Sequence, residues 1–132
     1  MKKNTQVRET VAQHLVETLP PELGVTVFDT WLVIDADKET PAVMVYQDTG
    51  ELNDAYLNQE EVYDGVLMVS IYCSGAVSDA KLDTIGEAVK SALPNGIRFP
   101  QVCRLSRTAF QYERAENGAY RALHFTQPYQ PE

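Results

Sequence analysis

Two stretches of this chain repeat an apolar residue every third or fourth position, and each does so along one side only. The first is Val7, Val11, Leu15 and Leu19, with Val16 beside the line; the second is Leu82, Ile85, Val89 and Leu93, with Ala88 and Ala92 alongside. Such spacing gives a helix one apolar stripe and leaves the rest polar. A helix of that kind must lie on an apolar surface supplied by something else. The strand-like segments supply it: Val25 to Asp29, Trp31 to Ile34, Pro41 to Tyr46, and the run Val66 to Cys73. In the last two, Val43, Val45, Leu67, Val69, Ile71 and Cys73 alternate onto a common side. The expected fold is α+β, a mainly antiparallel or mixed β-sheet with both amphipathic helices packed on one face.

Punctuation sets the expected boundaries. Asn4 or Thr5 caps the first helix and Pro20-Pro21 stops it; Ser78 caps the second, with Asp79 in its first turn, and Pro94-Asn95-Gly96 ends it. Gln47 to Glu61 reads as a long acidic connection. Val102 to Ala115 reads as one long strand, turned at Glu116-Asn117-Gly118 into a partner from Ala119 to Thr126. The last residues, Gln127 to Glu132, contain two prolines and are expected to be loosely held. At 132 residues the whole chain makes one domain, 1–132.

Charge narrows the function. Eleven basic against nineteen acidic residues leave a net charge of −8, the wrong sign for a surface that neutralises phosphates. The longest apolar run, Val66 to Val69, is far too short for a bilayer, and Lys2-Lys3 has no apolar stretch behind it to make a secretory leader. The expectation is a soluble protein made in a cytoplasm, with Cys73 and Cys103 reduced and packed. No motif for catalysis stands out. His14 and His124 have no partner at ligand or dyad spacing, the glycines form no phosphate loop, and no serine sits in a nucleophile elbow. Asp35, Asp37 and Glu39 read as a solvated bend. No enzyme and no cofactor is expected.

Two features point to assembly instead. The sheet face away from the helices shows Ala42, Met44, Tyr46, Met68, Ser70 and Tyr72, too apolar to be simply wet and tipped with hydroxyls, as interfaces are. It is a contact surface, for which Met44, Tyr46, Met68 and Tyr72 are the candidates, a face crossed by the C-terminal segment, or a scattered set of exposed residues. Charge is also polarised along the chain. Asp48, Glu51, Asp54, Glu60 and Glu61 fill the central connection, while Arg98, Arg104, Arg107, Arg114 and Arg121 gather in the last third. Complementary patches on one molecule permit head-to-tail contacts that close into rings. Asp79 and Asp83 are the candidates for an ion pair with Arg107, Arg114 or Arg121 of a neighbouring subunit.

The order of these segments resembles the minor tail protein U family, the tail terminators of lambda-like long-tailed bacteriophages. The likeness runs through Thr5-Gln6-Val7-Arg8, Val27-Phe28-Asp29 and Thr40 to Tyr46. It continues through the strand ending Ser70-Ile71-Tyr72, through Ser78 to Asp83, and through Phe110 to Arg114 into the closing hairpin. It covers nearly the whole chain and is weakest from Leu93 to Arg104. The resemblance implies a non-enzymatic virion protein that forms a hexameric ring on the tail tube, stops addition of the major tail tube protein and offers a surface to the head-tail connector protein. It implies assembly in the host cytoplasm and residence in the virion tail, with DNA passing through the ring and no sequence-specific nucleic-acid or membrane binding. The five central carboxylates are then expected at the lumen or on an axial loop, where they would repel phosphates. A divalent cation that screens them is a candidate requirement for ring assembly. The alternatives are a phage head-completion or connector-type adaptor, or a small cytosolic ligand-binding protein.

Overall fold

A computed structural model describes residues 1–52 and 62–132. Helix α1 spans Lys2–Thr18, and a 3-10 turn at Pro21–Leu23 leads into β1, Thr26–Phe28. Next come β2 (Ala42–Leu52), β3 (Tyr63–Ser74) and α2 (Asp79–Ala92). Short strands β4 (Ile97–Phe99) and β5 (Cys103–Leu105) precede β6 (Ala109–Arg114) and β7 (Tyr120–Pro131). The sheet order is β1-β2-β3-β7-β5-β4, with β6 pairing the other half of β7. Only β1 runs parallel to its neighbour, so the sheet is mixed.

Both helices lie on one face. Val7, Val11 and Leu15 of α1 and Leu82, Ile85 and Val89 of α2 pack with Val43, Val45, Leu67, Val69, Ile71, Leu123 and Phe125 in one buried cluster. The alternation that predicts this face holds because β2, β3 and β7 are in register: Val45 sits opposite Val69, and Val69 opposite Phe125. Ser78 caps α2 through the Lys81 amide as expected. No side chain caps α1, whose first residue is Lys2, so Asn4 and Thr5 fall inside it. Val16 turns outward, a quarter-turn off the stripe. No helix among the described residues is long and apolar enough to cross a membrane.

Four expectations need correction. Trp31 to Ile34 has no ladder partner; it crosses the sheet as an irregular segment, with Trp31, Leu32, Val33, Ile34 and Ala36 in contact with the space above Met44, Tyr72 and Tyr120. The central connection is shorter than expected, because β2 and β3 continue as a two-stranded ribbon to the pair Leu52–Tyr63. Asp48 is the extra residue of a β-bulge where the register shifts between Gln47 and Thr49. The long strand after Val102 is broken. Leu105 faces Tyr129 while Ala109 faces Thr126, four steps on one side against three on the other, which is a one-residue bulge. Arg107 occupies the break, its amide turned onto Asn95 Oδ1 at 2.8 Å.

The tail is the fourth correction. Residues 127–131 complete β7, and Gln127 and Tyr129 are buried. A proline lacks only the donor, and the Pro128 carbonyl still accepts from Ser106 N–H. Glu132 then fixes the end, its carboxylate accepting from Arg98 Nε at 2.7 and 2.8 Å.

Candidate functional site

On the open face of the sheet, Tyr46, Ser70, His124 and Glu113 form a chain of hydrogen bonds. Tyr46 OH lies 3.1 Å from Ser70 Oγ, Ser70 Oγ lies 2.6 Å from His124 Nδ1, and His124 Nε2 lies 2.8 Å from Glu113 Oε1. Tyr120 OH donates to the other Glu113 oxygen at 2.8 Å. With Glu113 ionised and the imidazole neutral, the directions follow from the donors available. Nε2–H donates to Glu113, so Nδ1 accepts from Ser70 O–H, and Ser70 accepts from Tyr46. Contacts from His124 first, then Tyr120, hold the Glu113 carboxyl below its ordinary value, and the bond to Glu113 raises the Tyr120 hydroxyl.

A serine, an imidazole and a carboxylate in sequence invite a catalytic reading, and the burial argues against it. Ser70 has no exposed surface and already holds two partners, so no substrate carbonyl reaches its oxygen. The set instead ties four strands, β2, β3, β6 and β7, together across a sheet face. Sequence spacing did not reveal it. The Asn117-Gly118 hairpin sets Glu113 opposite Ala122, one diagonal step from His124, but nothing local signals Ser70, 54 positions away.

The four apolar candidates on this face divide. Met44 is 1% exposed, a core residue under the Trp31–Ile34 segment. Tyr46, Met68 and Tyr72 are half-buried and remain at the surface. Burial, with Tyr46 beside it, pushes the Tyr72 hydroxyl up to about 12, against a hydrogen bond with Trp31. The chain's own segment thus covers the end of the face near Met44, and the C-terminal segment, the alternative cover, does not.

The basic hairpin meets the start of α2 within the same chain. Arg114 Nη2 donates to Asp79 Oδ2 at 2.9 Å and Arg121 Nη1 to Asp79 Oδ1 at 2.7 Å, while Tyr112 donates to Asp83. The ion pair anticipated between subunits is formed inside one, because the hairpin folds β6 beside the N-terminal turn of α2. Arg107 bonds the Leu93 carbonyl at 2.9 Å and lies over the Phe125 ring. Of the acidic set, Asp48 and Glu51 are exposed on the ribbon. Asp54, Glu60 and Glu61 lie outside the described residues. Among the described residues, no group of three acidic, His or Cys side chains is placed to hold a metal ion.

These carboxylates make a pH prediction. Hydrogen bonds from Arg114, then Arg121, hold Asp79 below its ordinary value of 3.8, and Glu113 is held below 4.5. A lowered folded value means the native state binds protons less readily than the unfolded one. The stabilisation is therefore complete above the ordinary values and is lost as pH falls through the lower folded ones. Hydrogen-exchange protection in β6 is expected to fall more than that of β3 between about pH 6 and about pH 3. Equal losses in both strands would count against these contacts as what holds β6.

No curated protein matches the chain. A chain in the solved structure described as the virion of a native gene transfer agent particle superposes with a TM-score of 0.61 at 18% identity, covering 92% of this chain and 91% of that one. At that identity the likeness bears on the fold. Over residues 2–127 the chain matches the family model described as phage minor tail protein U, and it belongs to that family of phage tail components, which implies a structural rather than an enzymatic role.

Proposed function

We propose that the protein is a tail terminator. It assembles as a ring, in the manner of a hexamer, on the finished end of the tail tube in the host cytoplasm, blocks further addition of tube subunits and presents the face to which the head connector binds. The observation that carries the reading is the family match over residues 2–127. The structure supports it with a sheet face that keeps Tyr46, Met68 and Tyr72 half-buried and an acidic ribbon projecting beside it. Asp48 and Glu51 on that ribbon suit a position at the lumen or axial surface, where carboxylates deny phosphate contacts to passing DNA.

The same charge sets the condition for assembly. Copies each carrying −8 repel one another, so ring formation strengthens with ionic strength or divalent cations and is weakest in dilute buffer. Electron microscopy of phage lacking the gene is the deciding test. Overlong tails beside full, unjoined heads are expected, and the gene supplied in trans restores tail length. Tails of normal length with leaking heads would make the protein a head-completion adaptor instead.

A further inference from the structure

Between α2 and β6 lies an open groove of 440 Å³. Leu123 and Phe125 form its floor, Gly86 opens its helix side, and Phe110 and Tyr112 form its strand side. The helix approaches closely here because Gly86 has no Cβ; one built there would lie 2.7 Å from Leu123 Cδ2. Phe110 is 65% exposed, although it stands on the face that carries the apolar core. An aromatic wall above an apolar floor, open to water, is a surface that contact with another molecule would bury.

The groove's charges say what that molecule carries. Asp83 accepts from Tyr112, and Glu87 pairs with Lys90 at 3.3 Å. Arg107, at the groove's end, bonds a backbone carbonyl and a ring face; it feels the Glu87 carboxylate across the groove but forms no ion pair among the described residues. The fitting occupant has an apolar run next to a carboxylate. This chain displays one. In Asp29-Thr30-Trp31-Leu32-Val33-Ile34-Asp35, Trp31 is 54% and Val33 87% exposed, with acids at both ends. The segment crosses the open face of the sheet, opposite the helices, so it cannot reach its own groove.

We propose that the Trp31–Val33 segment of one copy seats in the α2–β6 groove of the next, with Asp29 or Asp35 meeting Arg107. Knob and groove are different surfaces on opposite faces, so the contact is heterologous and propagates head to tail until it closes. The proposal rests on the ring reading above and names its subunit contact.

Sedimentation equilibrium of the full chain, in buffer with added magnesium and separately on purified tail-tube ends, tests it. Trp31→Ser and Phe110→Ser are each expected to weaken self-association by about 30-fold or more, as loss of an aromatic anchor does. An equimolar mixture of the two variants has one intact knob and one intact groove. It is expected to form a 1:1 dimer and nothing larger, a result that also shows both variants are folded. Arg107→Gln is expected to weaken association most in dilute buffer and to steepen its gain with added salt, because it removes an attraction that salt screens and leaves the repulsion between copies. The proposal is overturned if either variant associates like the wild type, if the mixture stays monomeric, or if the wild type is monomeric under both conditions. Variants that associate normally but no longer bind tube ends would assign the groove to a tube protein and end the proposal as well. Normal tail lengths in the gene deletion remove the terminator role alone, since the subunit contact is read independently of it.

Discussion

Met44→Ala is expected to lower the stability of the isolated chain by about 2–5 kcal/mol, the usual loss for truncating a buried methionine. Met44 is among the largest fully buried side chains, at 1% exposure, so the variant leaves a cavity as well as losing transfer energy. The measurement is urea unfolding of the wild type and variant, with the slope unchanged and the midpoint lowered. Met68→Ala is the comparison. Met68 shares the face and is half-buried, so its truncation is expected to cost less than half as much. The two together separate a residue roofed by its own chain from one waiting for a partner. A Met44→Ala protein with the wild-type midpoint would return Met44 to the interface. Trp31→Ala combined with Met44→Ala is expected to cost less than the sum of the single changes, because the Trp31 segment lies over Met44 and loses what it covers.

Met44 also shows where the sequence was legible and where it was not. Alternation assigns it to the correct face, since a strand's period of two needs no tertiary knowledge. Which faces are covered is a tertiary fact. Trp31-Leu32-Val33-Ile34 carries the same apolar, β-branched signal as a strand, and only the tertiary fold, which lays it against Met44, Tyr72 and Tyr120 and not along a sheet edge, makes it a cover instead. The helices were readable because their stripes are local. The break at Arg107 was not, because a bulge changes register without changing composition. The tail was misread for a related reason. Two prolines look like a loose end, but Tyr129 and Gln127 are buried and the Pro128 carbonyl still accepts.

The candidate contacts divide the same way. The pairing of Asp79 with Arg114 and Arg121 was foreseeable in its charges. Its partners lie 35 and 42 positions away, and sequence cannot say whether such a pair closes within a chain or between chains. The hairpin geometry settles it within the chain. The exposed knob and the α2–β6 groove were invisible for the opposite reason: Phe110 and Trp31 each read as half of a strand's apolar face. They become notable only when the fold leaves both in water.

Gly65→Ala is the other change with a large expected effect, about 1–3 kcal/mol or more from overpacking. A Cβ at Gly65 would lie 2.4 Å from Cζ of Tyr129 and 2.5 Å from its hydroxyl oxygen. The ring cannot easily swing aside. Its hydroxyl accepts from Gln47 Nε2 at 2.9 Å and donates to Asn4 Oδ1 at 3.0 Å, which joins β2, β7 and the start of α1 at one point. Gln47 in turn accepts from Arg8 at 2.7 Å. The point of crowding is also the base of the acidic ribbon, where Gly65 faces Gly50 on β2 and Tyr129 on β7. An alanine there must tilt either the ring, breaking those bonds, or the ribbon, redirecting Asp48 and Glu51. A double-mutant cycle identifies the cause. Tyr129→Ala removes the obstacle, so Gly65→Ala in that background is expected to cost at least about 1 kcal/mol less than in the wild type. Costs that add within about 0.5 kcal/mol would show that the ring is not what opposes the new methyl group. If the ring is the obstacle, the direction of the ribbon is set by one aromatic side chain from the last strand. Under the terminator role proposed above, tail-length control in phage carrying Gly65→Ala is then expected to fail even at temperatures where the subunit stays folded.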